Sequence, residues 1–327
     1  MTRSGASAPG KLMISGEYAV LDGAVAVVAA VSARVYVRWS TSSGGSPGGS
    51  GGSPQSLSDY REAVETRRLT EEVVGAVHGE LVVEATQTRS AGQVKYGLGS
   101  SAAAAAATAG AVLASQGHDL TDSGVQRRAF ELALAGHKAI APQGSGADVA
   151  AAALGGFVRF RLENGRVAEA ERVRWPDSLH TRVVWTGIAA RTSEFVRKVR
   201  EFEQSAPGAF GLIRDSLHAE ADRFAGAIST GRASEIVDAA GAYGAAMKRL
   251  GLGADVSIVT PELQTIADLA TQHGGAAKPS GAGGGDVAIA FFTNENDAKA
   301  FDAACRSVNL TPLDLGLGAP GVRPEAH

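Results

Sequence analysis

The chain has 327 residues, of which 44% are hydrophobic and 20% are charged, enough apolar material for two domains. Its formal net charge of −3 gives no reason to expect a nucleic acid or an anionic membrane as a partner. The single cysteine, Cys305, excludes an internal disulfide framework and a metal site built from several cysteines, and a reducing, cytoplasmic location fits this usage. No apolar run predicts a membrane-spanning helix, and no signal peptide is recognised at the N-terminus.

The first 90 residues predict strands and one helix, separated by turns and loops. Pro9-Gly10 predicts a turn, and Lys11 and Glu17 are charges set among apolar neighbours, where a surface position at a strand end is the simplest alternative. The tract from Ser40 to Ser56 is rich in serine and glycine and is predicted to be a loop that cannot pack. The remaining predictions are strands over 11–14, 24–37 and 80–88 and a helix over 59–79.

The stretch that begins at Lys95 predicts a loop that leads directly into a helix. It reads Lys95-Tyr96-Gly97-Leu98-Gly99-Ser100-Ser101 and continues with six alanines, Ala102 to Ala107. Glycine permits unusual backbone conformations, and alanine is the best helix former. The unpaired N–H groups of such a helix end bind anions, and the two serine hydroxyls can cap the helix or reach a metal ion. The alternative is a tightly packed alanine-rich helix with an ordinary N-cap.

Two more glycine-rich loops follow. One, Gly144-Ser145-Gly146-Ala147-Asp148, again precedes an alanine-rich helix, and the other extends from Lys278 to Asp286. Other helices are predicted over 121–138, 192–202, 210–229, 233–250, 261–272 and 295–307, and strands over 157–162, 166–174, 181–187 and 287–292. Helices and strands without regular βαβ alternation indicate an α+β protein, with a domain boundary near Trp175-Pro176.

The three loops together indicate phosphoryl transfer. The sequence has no P-loop and no protein-kinase motif set, and Gly97-Leu98-Gly99 is not directly preceded by a strand, as a dinucleotide fingerprint would require. What remains are backbone donors for phosphates, hydroxyls, the cation Lys11 and the carboxylate Asp148, which is an acceptor for a substrate proton or a metal ligand. A plain helix N-cap is the alternative for Asp148.

Three ordered segments resemble the motifs of the GHMP kinases, the superfamily of galacto-, homoserine, mevalonate and phosphomevalonate kinases. These are Pro9-Gly-Lys-Leu, Gly97-Leu-Gly-Ser-Ser-Ala-Ala and Lys278-Pro-Ser-Gly-Ala-Gly-Gly-Gly-Asp. Within that superfamily, the residues in and around these segments are most similar to those of the phosphomevalonate kinase family. The resemblance implies an α+β fold of two domains, 1–175 and 176–327. The first would be ribosomal-protein-S5-like and ATP-binding, and the second ferredoxin-like, with the active site in the cleft between them.

The resemblance also implies a set of site residues. Asp148 and Lys11 would be catalytic, and Ser101 would lie near Mg²⁺, the metal that accompanies ATP. The ATP-binding residues would be Lys95, Gly97, Leu98, Gly99, Ser100, Ser101 and Ala102. The substrate-binding residues would be Ser15, Glu17, Tyr18, His137, Ser145, Gly146, Arg191, Thr192, Lys278, Gly281, Ala282 and Gly283. Lys11, Lys95, Arg191 and Lys278 are the candidate cations for a phosphate on the acceptor, with a surface charge as the alternative for each.

His137 departs from the pattern of mevalonate kinases, which have a metal-binding glutamate at the matching position. A histidine there could contact an anionic substrate, or it could simply cap the end of a helix. The favoured activity is therefore ATP-dependent phosphorylation of phosphomevalonate to diphosphomevalonate, in the mevalonate route to isoprenoids. A mevalonate kinase, another GHMP small-molecule kinase and a non-catalytic ligand-binding homologue are the alternatives. A homodimer is left open.

Overall fold

A computed structural model of the protein describes residues 5–40, 54–190 and 192–325, with Thr192 and Ser193 as backbone only. The strands are β1 (Ala6–Ser15), β2 (Ala26–Trp39), β3 (Gln55–Ser56), β4 (Leu81–Glu84), β5 (Phe157–Glu163), β6 (Arg166–Val173), β7 (His180–Trp185), β8 (Ala276–Pro279), β9 (Val287–Phe292), β10 (Thr311–Leu313) and β11 (Arg323–Pro324). The helices are α1 (Arg61–Val74), α2 (Ser100–Ser115), α3 (Ser123–Ile140), α4 (Ala147–Leu154), α5 (Thr192–Ser205), α6 (Pro207–Thr230), α7 (Ala233–Gly253), α8 (Pro261–Gln272) and α9 (Glu295–Ser307).

The chain forms two compact units, and neither is continuous in sequence. The first contains Met1–Leu12, Val28–Val158 and Gly316–His327, and the second contains Met13–Val27 and Arg159–Leu315. Most of the predicted loop over Ser40–Ser56 lies outside the described residues, and so does Arg191. No helix among the described residues has the length and apolarity that crossing a membrane requires.

The strand that begins the chain is longer than the sequence indicates, and the turn predicted at Pro9-Gly10 is wrong. Both residues lie inside β1. A Cβ on Gly10 would come within 2.7 Å of the Leu98 carbonyl oxygen, so this glycine is needed for close approach of the loop before α2. The turn does not form because β1 continues through Pro9-Gly10 as part of a sheet. The strands of that sheet follow the path β11-β1-β2-β4-β3.

The helices of the first unit pack closely because their contact residues are small. The alanines from Ala102 to Ala107 in α2 are at most 1% exposed. In α3, a Cβ on Gly136 would come within 2.7 Å of the backbone N and Cα atoms of Thr66 in α1. Side chains without a Cγ allow the helix backbones to approach one another, and α4 packs against both α2 and α3. The alanine-rich segments are therefore the packed core of this unit.

The second unit combines a four-stranded antiparallel sheet, in the order β10-β7-β9-β8, with helices α5 to α9. β9 is buried at every position, and its neighbours α8 and α9 supply Leu263, Ile266 and Phe301 to the same core. β5 pairs with β6 across the turn predicted at Asn164-Gly165. Lys278 and Pro279, expected in a loop, form the end of β8.

Candidate active site

Lys11 of β1 lies directly against the glycine loop that precedes α2. Its backbone N–H donates to the Leu98 carbonyl over 2.8 Å, and its Nζ donates to the Gly97 carbonyl over 3.3 Å. A Cβ on Gly99 would come within 2.8 Å of Lys11 Cγ. The first and second motifs, 86 residues apart in sequence, therefore meet at one place in the first unit.

The start of α2 is free of side-chain caps. Gly99 is the N-cap residue, with a left-handed φ of 72°, and the described residues supply no side-chain cap hydrogen bond there. The N–H groups of the first turn of a helix lack intrahelical acceptors, and here no serine side chain caps them. This geometry fits the predicted anion site better than it fits the alternative of an ordinary N-cap. Ser100 is buried, and Ser101 is half-buried in that turn.

Asp148 is half-buried in the first turn of α4, where its Oδ1 accepts from the backbone N–H of Val149 over 2.9 Å. The loop before it is held by Lys138, whose Nζ donates to the Gly144 carbonyl. Burial lowers the pKa of Lys138, and the negative charge of Asp148 opposes that shift. Lys138 was not singled out from the sequence, although it adjoins His137 in the same helical turn.

His137 lies at the end of α3 beneath the same loop and is 8% exposed. A Cβ on Gly144 would be 3.0 Å from its Nε2, while Nδ1 is buried with no hydrogen-bond partner among the described residues. This position supports the loop, and contact with a substrate stays a prediction.

Lys278, expected to be a free cation, is buried in the second unit. Its ammonium donates to Glu17 Oε1 and, over 2.8 Å, to the Pro279 carbonyl, and the residue is 1% exposed. Burial lowers the pKa of Lys278, and the Glu17 carboxylate opposes that shift. Tyr243 of α7 completes the cluster, with its hydroxyl on the Glu17 carbonyl and its ring 5.4 Å from the ammonium. Phosphate binding by Lys278 stays a prediction that this arrangement does not support.

The third glycine loop is held by contacts from several sides. A Cβ on Gly283 would be 2.3 Å from the Ile258 carbonyl oxygen, whereas the space beside Gly281 is open. Both glycines have positive φ angles, of 74° and 93°. The carboxylate of Asp286 accepts from the Ala190 N–H over 2.9 Å. Gly283 is thus required for packing, and Gly281 is the more accessible of the two.

Comparisons with known proteins cover most of the chain. The family described as GHMP kinases N terminal domain matches residues 67–156, and that described as GHMP kinases C terminal matches residues 199–309. The phosphomevalonate kinase of Streptomyces sp. strain CL190 is 30% identical over 96% of this chain and 97% of its own. The chain belongs to the GHMP kinase superfamily. A mevalonate kinase of Thermococcus sibiricus is 28% identical over 98% of both chains.

The fold is that of the GHMP kinases. A structure of Streptococcus pneumoniae phosphomevalonate kinase in complex with phosphomevalonate and AMPPNP matches with a TM-score of 0.78, at 20% identity, over 95% of this chain and 99% of that one. The α+β, two-domain fold expected from the sequence is confirmed. The division at residues 175 and 176 falls between the two matched ranges and stays a prediction.

The other predicted residues of this GHMP kinase are distributed over both units. In the first, Lys95 is exposed, Leu98 and Ala102 are buried, and Ser145 Oγ accepts from the Ala147 N–H next to the buried Gly146. In the second, Ser15 Oγ is buried without a partner among the described residues, and Tyr18 donates to the Ala282 carbonyl over 2.6 Å. Arg191 is not described, and Thr192 is described as backbone only.

The donor set of this GHMP kinase fits a magnesium ion that arrives with a nucleotide. Within 5–40, 54–190 and 192–325, no three His, Cys, Asp or Glu side chains are grouped closely enough to hold a metal ion. Mg²⁺ commonly keeps several waters and takes only one or two protein ligands beside substrate phosphates. The half-buried hydroxyl of Ser101 and carboxylate of Asp148 are oxygen donors of the kind that such an ion accepts.

Proposed function

We propose that this GHMP small-molecule kinase uses Mg·ATP to phosphorylate phosphomevalonate. One observation carries the kinase assignment: Lys11 is fastened to the Gly97 carbonyl beside the uncapped start of α2, so a cation and several N–H donors meet where a polyphosphate would bind. Two observations support phosphomevalonate as the acceptor. One is the 30% identity to the phosphomevalonate kinase of Streptomyces sp. strain CL190, and the other is His137 in place of the glutamate of mevalonate kinases.

In this proposal each group has a defined task. The N–H groups at the start of α2 and the Lys11 ammonium hold the phosphates of ATP and offset the charge that develops on the transferred group. The Ser101 hydroxyl would help to hold the Mg²⁺ ion that accompanies ATP, and that ion would supply further charge neutralisation.

Asp148 orients the acceptor in the proposed reaction. A phosphate monoester has a second pKa of about 6, so at neutral pH its oxygen attacks the γ-phosphorus without losing a proton, and ADP leaves. A hydroxyl acceptor would instead need Asp148 to take its proton.

The test is ADP release from Mg·ATP with phosphomevalonate, mevalonate, homoserine and galactose, each offered separately. Turnover with phosphomevalonate alone is expected. Turnover with another acceptor would replace the substrate and keep the kinase. ATP binding without turnover on any acceptor would contradict the proposal and favour a ligand-binding homologue.

Two variants test the role of Asp148 against a plain helix-end carboxylate. Asp148→Asn is expected to lower turnover by about 10²-fold while ATP binding is retained, because the acceptor loses the group that orients it. Asp122→Asn is the matched control, because Asp122 caps α3 through the Val125 N–H over 3.0 Å and asparagine caps equally well. Equal activity of the two variants would remove Asp148 from the mechanism.

A further inference from the structure

Three side chains from the turn after β1 and from β8 converge on the backbone of the third glycine loop. Tyr18 donates to the Ala282 carbonyl over 2.6 Å. Glu17 Oε1 accepts from the Gly281 N–H over 3.4 Å, and the same oxygen accepts from Lys278 Nζ. All of these residues belong to the second unit. The loop is thus fastened at two consecutive residues, one through its N–H and one through its carbonyl.

Glu17 and Lys278 form an ion pair in this buried position. An isolated carboxylate in an apolar interior would be strongly disfavoured, whereas a paired and hydrogen-bonded one is tolerated. The side chains of Lys278 and Glu17 are 0% and 1% exposed. Tyr243 fixes the opposite side of Glu17 by donating to its main-chain carbonyl over 2.7 Å. The ion pair thereby holds Oε1 where the Gly281 N–H can reach it.

Tyr18, which also bonds to the loop, has an unusual backbone conformation. Its φ is 62° and its ψ is −52°, a combination that non-glycine residues rarely adopt. Burial, with a smaller contribution from Glu17, raises the pKa of its phenol, so the hydroxyl stays protonated and remains a donor. The backbone strain at Tyr18 therefore coincides with a residue that bonds directly to the loop.

We infer that Glu17, Tyr18 and Lys278, here named the loop clamp, are positioning residues that set the backbone of Gly281 and Ala282 for the acceptor and do not themselves bind it. This inference rests on the proposed function and on the expectation that Gly281 and Ala282 bind the acceptor. A buried ammonium already bound to a carboxylate and a carbonyl is a poor phosphate ligand, whereas Gly281, with open space beside it, can present its backbone to a ligand.

The test compares Tyr18→Phe with Tyr243→Phe. Each variant removes one hydroxyl bound to a carbonyl in the same cluster, but only Tyr18 bonds to the loop. Tyr18→Phe is expected to raise KM for the acceptor about five- to tenfold with little change in KM for ATP, the effect of losing one hydrogen bond. Tyr243→Phe loosens Glu17 but keeps the Tyr18 bond to the loop, so it is expected to raise KM for the acceptor by less than Tyr18→Phe does.

Hydrogen exchange supplies a readout that does not require turnover. Tyr18→Phe should accelerate exchange in a peptide spanning 278–286, while a peptide within α9 keeps its wild-type rate. If the wild-type protein phosphorylates no acceptor, the proposed function fails, and this comparison still tests the clamp. Unchanged exchange in Tyr18→Phe, or equal rises in KM for ATP and acceptor, would overturn it.

The ion pair is tested by charge balance. Lys278→Met leaves Glu17 buried and unpaired, whereas the double variant Glu17→Gln/Lys278→Met carries no buried charge. A positioning role predicts that the double variant recovers stability and part of the acceptor affinity lost in Lys278→Met. If Lys278 binds the acceptor's phosphate, the double variant will instead lose acceptor binding with wild-type exchange in the loop, and the inference is wrong.

Discussion

Gly99 has a left-handed backbone, and the Lys11 side chain occupies the place where its own side chain would be. Its φ is 72°, and an added Cβ would be 2.8 Å from Lys11 Cγ and 3.0 Å from Lys11 Cε. Gly99→Ala should therefore displace the Lys11 ammonium from the Gly97 carbonyl and raise KM for ATP about tenfold, since tenfold corresponds to about 1.4 kcal/mol.

Gly117→Ala is the control that separates this contact from backbone strain. Gly117 follows α2 with a φ of 86° and has nothing within 4 Å of an added Cβ. In both variants the left-handed alanine lowers the free energy of unfolding by about 1 kcal/mol or more, so both should unfold at a lower urea concentration than the wild type. If the two variants lose ATP affinity equally, backbone strain and not contact with Lys11 explains the effect of Gly99→Ala.

At the scale of single residues, residue types and spacing predicted where the glycine-rich loops lie, but they did not predict which groups the charged side chains of those loops contact. Gly97, Gly99 and Asp148 occupy a loop and two helix starts, as local patterns indicated. The role expected of Lys278 differs from its environment, because its partner, Glu17, is 261 positions away in sequence. Both are charges among apolar neighbours, and opposite charges of that kind are the one signal that could have indicated a buried pair.

At the scale of elements, contact between α1 and α3 depends on a missing side chain. Gly136→Ala would place a Cβ 2.2 Å from Thr66 Oγ1 and 2.6 Å from the Thr66 backbone N, so the two helices would have to separate. We expect a loss of about 2 kcal/mol or more in the free energy of unfolding, measured in urea, because overpacking at backbone cannot be relieved by a rotamer change.

Gly226→Ala in α6 is the matched variant with the opposite expectation. It is also a helical glycine, but it is exposed and has nothing within 4 Å of an added Cβ. Alanine should stabilise there by about 0.5–1 kcal/mol through helix propensity. If Gly136→Ala were also stabilising, close approach of α1 and α3 would not be what retains glycine at that position.

Most elements follow from periodicity, and the exceptions have tertiary causes. The helix over Pro261–Gln272 has the predicted bounds, since Thr260 caps it and Pro261 begins it. β8 could not be recognised because its four residues, Ala276–Pro279, carry no alternating pattern and pair with β9 only in the folded chain. The turn expected at Pro9-Gly10 is likewise replaced by strand because of the sheet around it.

At the scale of the whole molecule, both ends of the chain are joined through one buried arginine. Arg34 in β2 is 4% exposed. It donates to Ser7 Oγ and to the carbonyls of Ser7, Pro320 and Gly321, over 2.8 to 3.0 Å. Its contacts therefore connect β2 to the start of β1 and to the segment that precedes β11. Burial, with a smaller contribution from Arg323, lowers the pKa of Arg34 to about 10, which still leaves the guanidinium charged at neutral pH.

Arg34→Met should release the C-terminal segment, because the buried carbonyls of Ser7 and Gly321 and the part-buried carbonyl of Pro320 lose their donor. Each unsatisfied buried group costs about 1–3 kcal/mol, so we expect a loss of about 2 kcal/mol or more, measured in urea. Exchange should accelerate over 316–325, where the Val322 N–H now donates to the Ala153 carbonyl over 3.0 Å. Arg34→Lys, which keeps the charge but offers fewer donors, should be intermediate, and the exposed Arg68→Met should behave as the wild type. Wild-type exchange over 316–325 in Arg34→Met would mean that other contacts, among them the pairing of β11 with β1, are enough to hold this segment.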